Sequence, residues 1–209
     1  MVNITGFAGY ECEDVVLYLA KIVTALERKI VIVDRTEQES LMEIFRHRLI
    51  PEPGKKITET EYEGILITVD TVCYEEYDEV FLVFGYRLMH PKLYECHNLI
   101  LVTDGVPSHA SMLQKVGKWE RRQCILIRDL VPVKHGETYL TMLAGAEGWK
   151  CCLLPLQEQD VRWKCSLGTG EHIRIQSLSA GMRQILMKLT VWILQEESET
   201  EIKKIMKKI

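Results

Sequence analysis

The first forty residues constrain the fold of this chain more than any other stretch. They contain a short apolar run from Val2 to Thr5, a glycine-containing turn at residues 6–9, a helical stretch from Val15 to Lys29 and a second apolar run, Ile30–Asp34. This order predicts a strand, a turn, an amphipathic helix and a second strand, which together make a βαβ unit. Because the crossover of such a unit is right-handed, we expect the turn at the carboxyl edge of a parallel sheet, where phosphates usually bind.

The rest of the chain alternates short apolar runs with amphipathic stretches. Strands are predicted at 64–69, 79–84, 98–103, 124–128 and 149–154, and helices at 36–50, about 108–116, 137–144 and 177–195. This alternation predicts an α/β fold with a mostly parallel sheet of about seven strands and helices on both faces. We assign residues 1–195 to one α/β domain and residues 196–209 to a charged C-terminal tail or amphipathic helix.

The composition limits the possible function classes. A chain of 209 residues with 47% apolar content is long enough for one domain with a hydrophobic core. Its net charge of -4 gives no general attraction for nucleic acid, so we expect none as a partner. Seven cysteines, without a Cys-x-x-Cys pair, indicate reduced thiols in a cytoplasmic protein that has no structural metal. Neither a signal-peptide pattern nor an apolar run near the roughly 20 residues of a membrane span is found.

Five segments carry a resemblance to a known family through their order and spacing. Residues 2–9 look like a first strand and the start of a phosphate loop, and Ile30–Asp34 with the following Gln38 is similar to a second strand that ends in V-D-x-D-x-Q. Residues 77–85 resemble a Walker B strand, 98–113 the strand, turn and helix after it, and 153–155 a late strand end. The chain therefore resembles the MinD/ParA group of deviant P-loop ATPases, which includes the pilus-assembly protein CpaE and the flagellar regulator FleN. This resemblance implies a P-loop NTPase fold.

The residues that do chemistry in that family are replaced in this chain. A P-loop has the pattern G-x-x-x-x-G-K-[ST], in which backbone N–H groups surround the phosphates, the Lys reaches the outer phosphates and the hydroxyl binds Mg²⁺. If Gly6 is the first glycine of this pattern, Glu11 stands at the position of the second glycine, Cys12 at that of the lysine and Glu13 at that of the hydroxyl residue. No Lys stands near the loop start, and Phe84 occupies the position of the Walker B carboxylate. The nucleotide site is thus predicted to be degenerate.

Simple electrostatics argues against nucleotide binding at such a loop. A carboxylate of Glu11, Glu13 or Asp14 at about 4 Å from a phosphate oxygen costs on the order of 1 to 4 kcal/mol, and the missing Lys removes an attraction of similar size. Micromolar affinity amounts to only about 8 kcal/mol in total. We therefore predict a pseudo-ATPase without a cofactor. The alternative is a MinD/ParA-type ATPase that binds ATP and Mg²⁺ through an unconventional loop.

The resemblance also suggests a role and partners. A non-catalytic member of such a family is expected to be a scaffold or regulatory protein, and pilus or secretion assembly in bacteria is the most specific role that the likeness to CpaE implies. Active members dimerise face to face across the nucleotide. Without nucleotide, that contact is either permanent or replaced, so a homodimer and a heterodimer with an active paralogue are both expected partners.

Simpler interpretations exist for each candidate residue. Gly6 and Gly9 fit an ordinary βα turn that needs positive φ. Glu11, Glu13 and Asp14 are expected to cap the N-terminus of the first helix, and a divalent-cation site formed by these acids is a less favoured alternative. Cys12 at a helix N-terminus is a candidate reactive thiol, although the adjacent acids favour an inert one.

Two further candidates lie at a strand end and at the C-terminus. Asp34 is expected either to cap the following helix or to bind a ligand. In the tail, apolar and basic residues alternate at helical spacing, as in a basic amphipathic helix on an anionic membrane, an element with which MinD-like proteins end. A frayed helix end or a helix packed on a partner is favoured over membrane contact, because the segment is short and the preceding glutamates repel such a membrane. The candidate contact residues are Ile202, Lys203, Lys204, Ile205, Met206, Lys207, Lys208 and Ile209.

Overall fold

The computed structural model describes residues 2–46, 56–117, 121–131, 136–169, 172 and 174–209. Its strands are β1 (Asn3–Gly9), β2 (Ile30–Asp34), β3 (Glu59–Tyr62), β4 (Ile65–Thr68), β5 (Glu79–Gly85), β6 (Asn98–Thr103), β7 (Arg122–Leu130) and β8 (Lys150–Pro155). Its α-helices are α1 (Glu13–Ala25), α2 (Ser40–Arg46), α3 (Pro107–Met112), α4 (Gly136–Leu143), α5 (Glu158–Ser166), α6 (Ala180–Leu194) and α7 (Glu199–Met206).

All eight strands belong to one sheet, in the order β3-β4-β2-β5-β1-β6-β7-β8. Every neighbouring pair is parallel except β3 and β4, which are antiparallel. Side chains that alternate along each strand enter two separate apolar layers: Ile32 joins the layer under α1, α6 and α7, whereas Val31 and Val33 join the layer on the side of α3 and α4. The predicted α/β class, with a mostly parallel sheet and helices on both faces, is confirmed.

The first strand is longer than the sequence pattern predicts. Residues 6–9 are not a turn but the second half of β1, where Gly6 pairs with Leu82 of β5 and with Leu99 of β6. A Cβ on Gly6 would stand 2.8 Å from Cys96 Sγ, so glycine is needed there for close packing of the strand. The sequence pattern was misleading because a glycine that permits close approach reads like a glycine that permits a turn.

Two elements were missed by the sequence analysis. Strand β3 is short and polar and lies at the sheet edge, so it lacks the apolar run that marks the central strands. Helix α5 has few apolar residues, and Asp160 is its only buried side chain among those described. The eighth strand therefore enlarges the predicted sheet, and α5 fills part of the region between Pro155 and α6.

Several predicted helix boundaries are wrong. Helix α1 begins at Glu13 rather than Val15 and ends at Ala25, four residues before the predicted Lys29. Helix α2 covers only Ser40–Arg46 of the predicted 36–50, and residues 47–50 lie outside the described residues. The helix predicted near 108–116 divides into α3 and a 3-10 turn, Leu113–Val116.

The C-terminal residues fold back onto the domain. Ser198 caps α7 by accepting a hydrogen bond from Glu201 N at 3.2 Å. Ile202 is fully buried and Met206 is 6% exposed, and both belong to the apolar layer formed with α1 and α6. The apolar face of α7, which the sequence analysis considered as a membrane contact, therefore packs against the protein's own core.

Candidate functional site

The candidate site is a cavity of about 630 Å³ at the carboxyl edge of β1 and β5, in front of the N-terminus of α1. This is the edge at which parallel α/β sheets usually bind ligands. Its walls come from the β1–α1 connection, from α2, from the residues after β5, and from α3 and α5. They include Tyr10, Glu11, Glu13, Glu37, Tyr86, Arg87, His109 and Lys164.

The connection between β1 and α1 is only three residues long, Tyr10–Cys12. Gly9 ends the strand with φ +117°, and a Cβ there would lie 2.1 Å from the Val102 carbonyl oxygen. Tyr10 N then donates to the same carbonyl at 2.8 Å. Because β1 is paired through Gly9, the backbone that would curl around a phosphate in a P-loop belongs here to the sheet.

A buried ion pair fills the space behind this connection. Arg128, at the end of β7, donates from Nη1 and Nη2 to the Asp14 carboxylate at 2.6 and 2.9 Å. Its Nη1 also donates to the Glu11 carbonyl at 2.7 Å, and its Nε donates to Asp129 at 3.0 Å. Burial alone would lower the pKa of Arg128, but the charge and hydrogen bonds of Asp14, with Asp129, raise it above its ordinary value. The guanidinium is therefore a permanent cation inside the site.

The other two acids of the loop also have partners. Glu11 forms an ion pair with Lys164 of α5, whose Nζ lies 6.0 Å from the centre of the Tyr10 ring. Glu13 accepts a hydrogen bond of 2.6 Å from Ser40 Oγ at the start of α2. The acids thus link α1 to α2 and α5. They do not cap α1 as predicted, because Cys12 is its N-cap residue and their carboxylates bind Lys164, Ser40 and Arg128 instead.

Asp34 caps α2 through the backbone. Its carboxylate accepts hydrogen bonds from Leu41 N at 2.8 Å and Met42 N at 3.1 Å, and from the N–H and hydroxyl of Thr36 at 2.9 and 2.6 Å. The side chain is buried, and its acceptor sites are used by these four bonds. The capping interpretation of Asp34 is confirmed.

Cys12 occupies the N-cap position of α1 with its thiol buried. Burial raises the pKa of this thiol well above its ordinary value, and the neighbouring Glu13 and Asp14 raise it further. The thiolate is disfavoured, so the structure agrees with an inert cysteine.

Phe84, at the Walker B position, is fully buried in the core. Among the residues that the structure describes, no group of three His, Cys, Asp or Glu side chains could hold a metal ion.

An aromatic wall closes one side of the cavity. The rings of Tyr10 and His109 are stacked with centroids 5.1 Å apart, and Tyr86 is tilted against His109 at 6.3 Å. His109 Nδ1 lies 3.0 Å from both carboxylate oxygens of Asp104, the residue that follows β6. Burial, together with Asp104, Tyr10 and Glu11, raises the pKa of Tyr86 to about 12, so this phenol stays neutral at physiological pH.

Comparison with known proteins gives a result only at the level of structure. No known family profile matches the sequence, and no curated protein matches it. A Borrelia burgdorferi B31 protein assigned to plasmid partition, solved with AMPPNP bound, superposes with a TM-score of 0.62 at 10% identity, over 94% of this chain and 99% of that one. A ParA family ATPase from Chlorobium tepidum TLS gives 0.58 at 13% identity, over 91% and 98% of the two chains.

A third structure, apo McdA from Cyanthece, gives a TM-score of 0.57 at 11% identity, over 98% of this chain and 99% of that one. The fold is that of the ParA-type P-loop ATPases. At these identities the likeness establishes the ParA-type fold and nothing about activity. It agrees with the MinD/ParA-like architecture expected from the order of the sequence segments.

Within this ParA-type fold, the C-terminal candidates divide into two groups. Ile202 and Met206 are buried, and Ile205 and Ile209 are partly buried. The four lysines are exposed, Lys203 and Lys204 on α7 and Lys207 and Lys208 directly after it. No helix in the described part of the chain is long and apolar enough to cross a membrane.

The sequence analysis missed the residues that complete the site. Arg128 and Lys164 reach the β1–α1 connection from β7 and α5, while His109 and Tyr10 form the aromatic wall. One signal was present for Arg128: a charged residue at the end of the apolar run 124–127 requires a partner if it is buried. Nothing in the sequence indicates that the partner is Asp14.

Proposed function

We propose that this protein is a pseudo-ATPase: a non-catalytic scaffold or regulatory protein that keeps the ParA-type fold and acts through protein partners. The observation that carries the proposal is the buried pair of Arg128 with Asp14, whose guanidinium also binds the Glu11 carbonyl. A phosphate loop presents N–H groups to an anion. This connection instead presents a carbonyl oxygen to a cation that the protein supplies itself.

The charges around the cavity support the same proposal. Lys164 is paired with Glu11 and Arg128 with Asp14, so neither cation is left to neutralise a triphosphate. Glu13 and Glu37 add negative charge to the walls. Entry of ATP would require breaking internal ion pairs and bringing phosphates next to carboxylates, each at a cost of about 1 to 4 kcal/mol.

One observation favours the alternative, a nucleotide-binding ATPase with an unconventional loop. The cavity persists at the expected edge of the sheet with a volume of about 630 Å³, and Arg87 lies in its wall. The protein from Borrelia burgdorferi, which has the same fold, was solved with AMPPNP. Under this alternative, ATP would bind through Arg87 and Lys164 rather than through a Walker A lysine.

Isothermal titration of the full chain with Mg-ATP and Mg-ADP separates the two functions, with thermal shift as a second readout. We expect neither heat nor stabilisation at millimolar nucleotide. Binding tighter than about 100 μM, equivalent to more than about 5 kcal/mol, would overturn the pseudo-ATPase proposal. An Arg87→Ala and Lys164→Ala variant would then show whether the cavity is the binding site, because the alternative requires both cations.

The more specific cellular role of this protein is proposed from the sequence resemblance alone. We propose a place in bacterial pilus or secretion assembly, as for CpaE, with a second copy or an active paralogue as the partner and with a cytoplasmic location. Affinity purification of the tagged full chain from its own cells, followed by mass spectrometry, tests this role. Recovery of an active ParA-type ATPase or a pilus component would support it, and consistent recovery of unrelated partners would contradict it.

A further inference from the structure

A second cavity, which shares no lining residue with the first, lies between α6 and α7. This groove has a volume of about 610 Å³ and is lined by Gln176, Arg183, Gln184, Met187, Lys203, Met206 and Lys207. We call it the α6–α7 groove. It involves none of the residues of the candidate nucleotide site, so an inference about it does not depend on the proposed loss of ATP binding.

The charge of the groove is entirely positive. Arg183, Lys203 and Lys207 line it, and none of the described residues that line it is acidic. Neither Lys203 nor Lys207 has an ion-pair partner among the described residues, whereas Lys21 and Lys164 are paired with Glu63 and Glu11. Because the whole chain carries a net charge of -4, this positive potential is local rather than general.

The floor of the groove is apolar and adaptable. Met187 is partly buried, and Met206 is 6% exposed, with its side chain in the core layer beneath. Methionine side chains are flexible and polarisable and therefore pack against varied aliphatic partners. A floor of this kind between basic rims complements a segment that has an aliphatic stripe beside acidic side chains.

The groove is preformed rather than dependent on a ligand. Ile202 anchors α7 in the core, and the backbone N of Gln176 holds the residues after α7 by donating to the Ile209 carbonyl at 3.3 Å. Arg183 Nη1 donates to the carbonyls of Gln176 and Leu178 at 2.8 and 2.6 Å. Fixed walls reduce the ordering cost of binding.

We infer that the α6–α7 groove binds an acidic, amphipathic peptide segment of a protein partner. The carboxylates of the segment pair with Arg183, Lys203 and Lys207, and its aliphatic side chains cover Met187 and Met206. A membrane fits these observations less well, since Ile202 and Met206 pack into the core, Ile205 is partly buried, and the exposed Glu199 and Glu201 of the same helix repel an anionic surface. The recognition is that of an amphipathic segment in a groove between helices.

Fluorescence anisotropy with a labelled amphipathic peptide of about 18 residues, rich in Glu and Leu at helical spacing, tests the inference on the full chain. The variant Lys203→Glu/Lys207→Glu reverses the groove charge. The variant Lys204→Glu/Lys208→Glu is a matched control, because it makes the same charge change at the same spacing on the neighbouring exposed lysines, which do not line the groove. We expect the first variant to weaken binding at least about tenfold more than the control does.

Salt and peptide order provide further readouts. Binding should weaken as NaCl rises from about 0.15 to 0.5 M, because the Debye length shortens. A peptide with the same composition in scrambled order should bind less well, since its aliphatic stripe is lost. Absence of binding, or equal loss in both lysine variants, would overturn the inference. Co-sedimentation with phosphatidylserine vesicles that both variants reduce equally, without peptide binding, would assign α7 to a membrane surface instead.

Discussion

At the scale of single residues, Arg128 shows how the candidate site depends on distant parts of the chain. It contacts Asp14 and Glu11, which lie 114 and 117 positions earlier. The prediction that Glu11, Cys12 and Glu13 replace P-loop residues needs only consecutive positions of the sequence, and it stays a prediction. The pairing of Arg128 with Asp14 could not be predicted from the sequence, since it depends on how β7 and α1 are placed relative to each other in the fold.

Substitution of Arg128 should destabilise the fold strongly. In Arg128→Met the carboxylate of Asp14 stays buried without a counter-ion, and we expect a loss of about 3 to 5 kcal/mol in the free energy of unfolding. The double variant Arg128→Met/Asp14→Leu should be more stable than this single variant, because it leaves no unpaired carboxylate at position 14. Urea denaturation measures both, with Arg162→Met as a surface control, since the Arg162 and Glu158 side chains are 77% and 80% exposed. Equal losses in the single and double variants would contradict the argument.

Glu79, at the amino end of β5, should make stability depend on pH. The pKa of Glu79 is raised from 4.5 to about 7, mainly by burial. The charge of Arg28 and the Asn3 hydrogen bond lower it, and the charges of Asp78 and Glu196 contribute to raising it. The folded state therefore binds more protons than the unfolded state between these values. The resulting stabilisation is complete below about pH 4.5 and is lost as pH rises through about 7.

We expect the free energy of unfolding to fall by up to about 3 kcal/mol between pH 5 and pH 8 from this group alone. Glu79→Gln removes the titration and should flatten that part of the profile. Urea denaturation of both proteins across the range tests this expectation. If the two profiles keep the same slope, the pH dependence arises from other groups.

At the scale of secondary-structure elements, the end of β1 decides the shape of the site. Gly9 and Gly148 both have positive φ, +117° and +79° respectively. A Cβ on Gly9 would lie 2.1 Å from the Val102 carbonyl oxygen, whereas a Cβ on Gly148 would meet no atom within 4 Å. Gly148→Ala should therefore cost about 1 to 2 kcal/mol, the backbone strain alone. Gly9→Ala should cost several kcal/mol more, or prevent folding, because β1 must separate from β6. Similar thermal denaturation midpoints for the two variants would disprove the close contact.

The elements that could be predicted from the sequence are those whose burial leaves a local pattern. Strands β2, β5 and β6 are continuous apolar runs because both faces are covered, and they were found with bounds correct to within one residue. Strand β3 and helix α5 bury few apolar side chains, so they leave no such pattern. The packing of α7 onto α1 and α6 was also not predictable, because an amphipathic helix does not reveal which surface covers its apolar face.

At the scale of the whole molecule, the chain keeps the ParA-type architecture while its site is held by internal ion pairs. The resemblance to MinD/ParA proteins implies dimerisation across bound nucleotide. If the pairs of Arg128 with Asp14 and of Lys164 with Glu11 replace the nucleotide, the oligomeric state has no remaining link to ATP. Self-association would then be a fixed property of the folded chain.

We therefore expect the molar mass in solution to be the same with and without millimolar Mg-ATP, whether it equals the 24.2 kDa of one chain or a multiple of it. Size-exclusion chromatography with light scattering, repeated over a range of protein concentrations, measures this directly. A ligand that binds only one oligomeric state must shift the equilibrium toward that state. A doubling of mass that requires nucleotide would therefore show that ATP still enters the dimer contact, even if its heat of binding were too small to detect by titration.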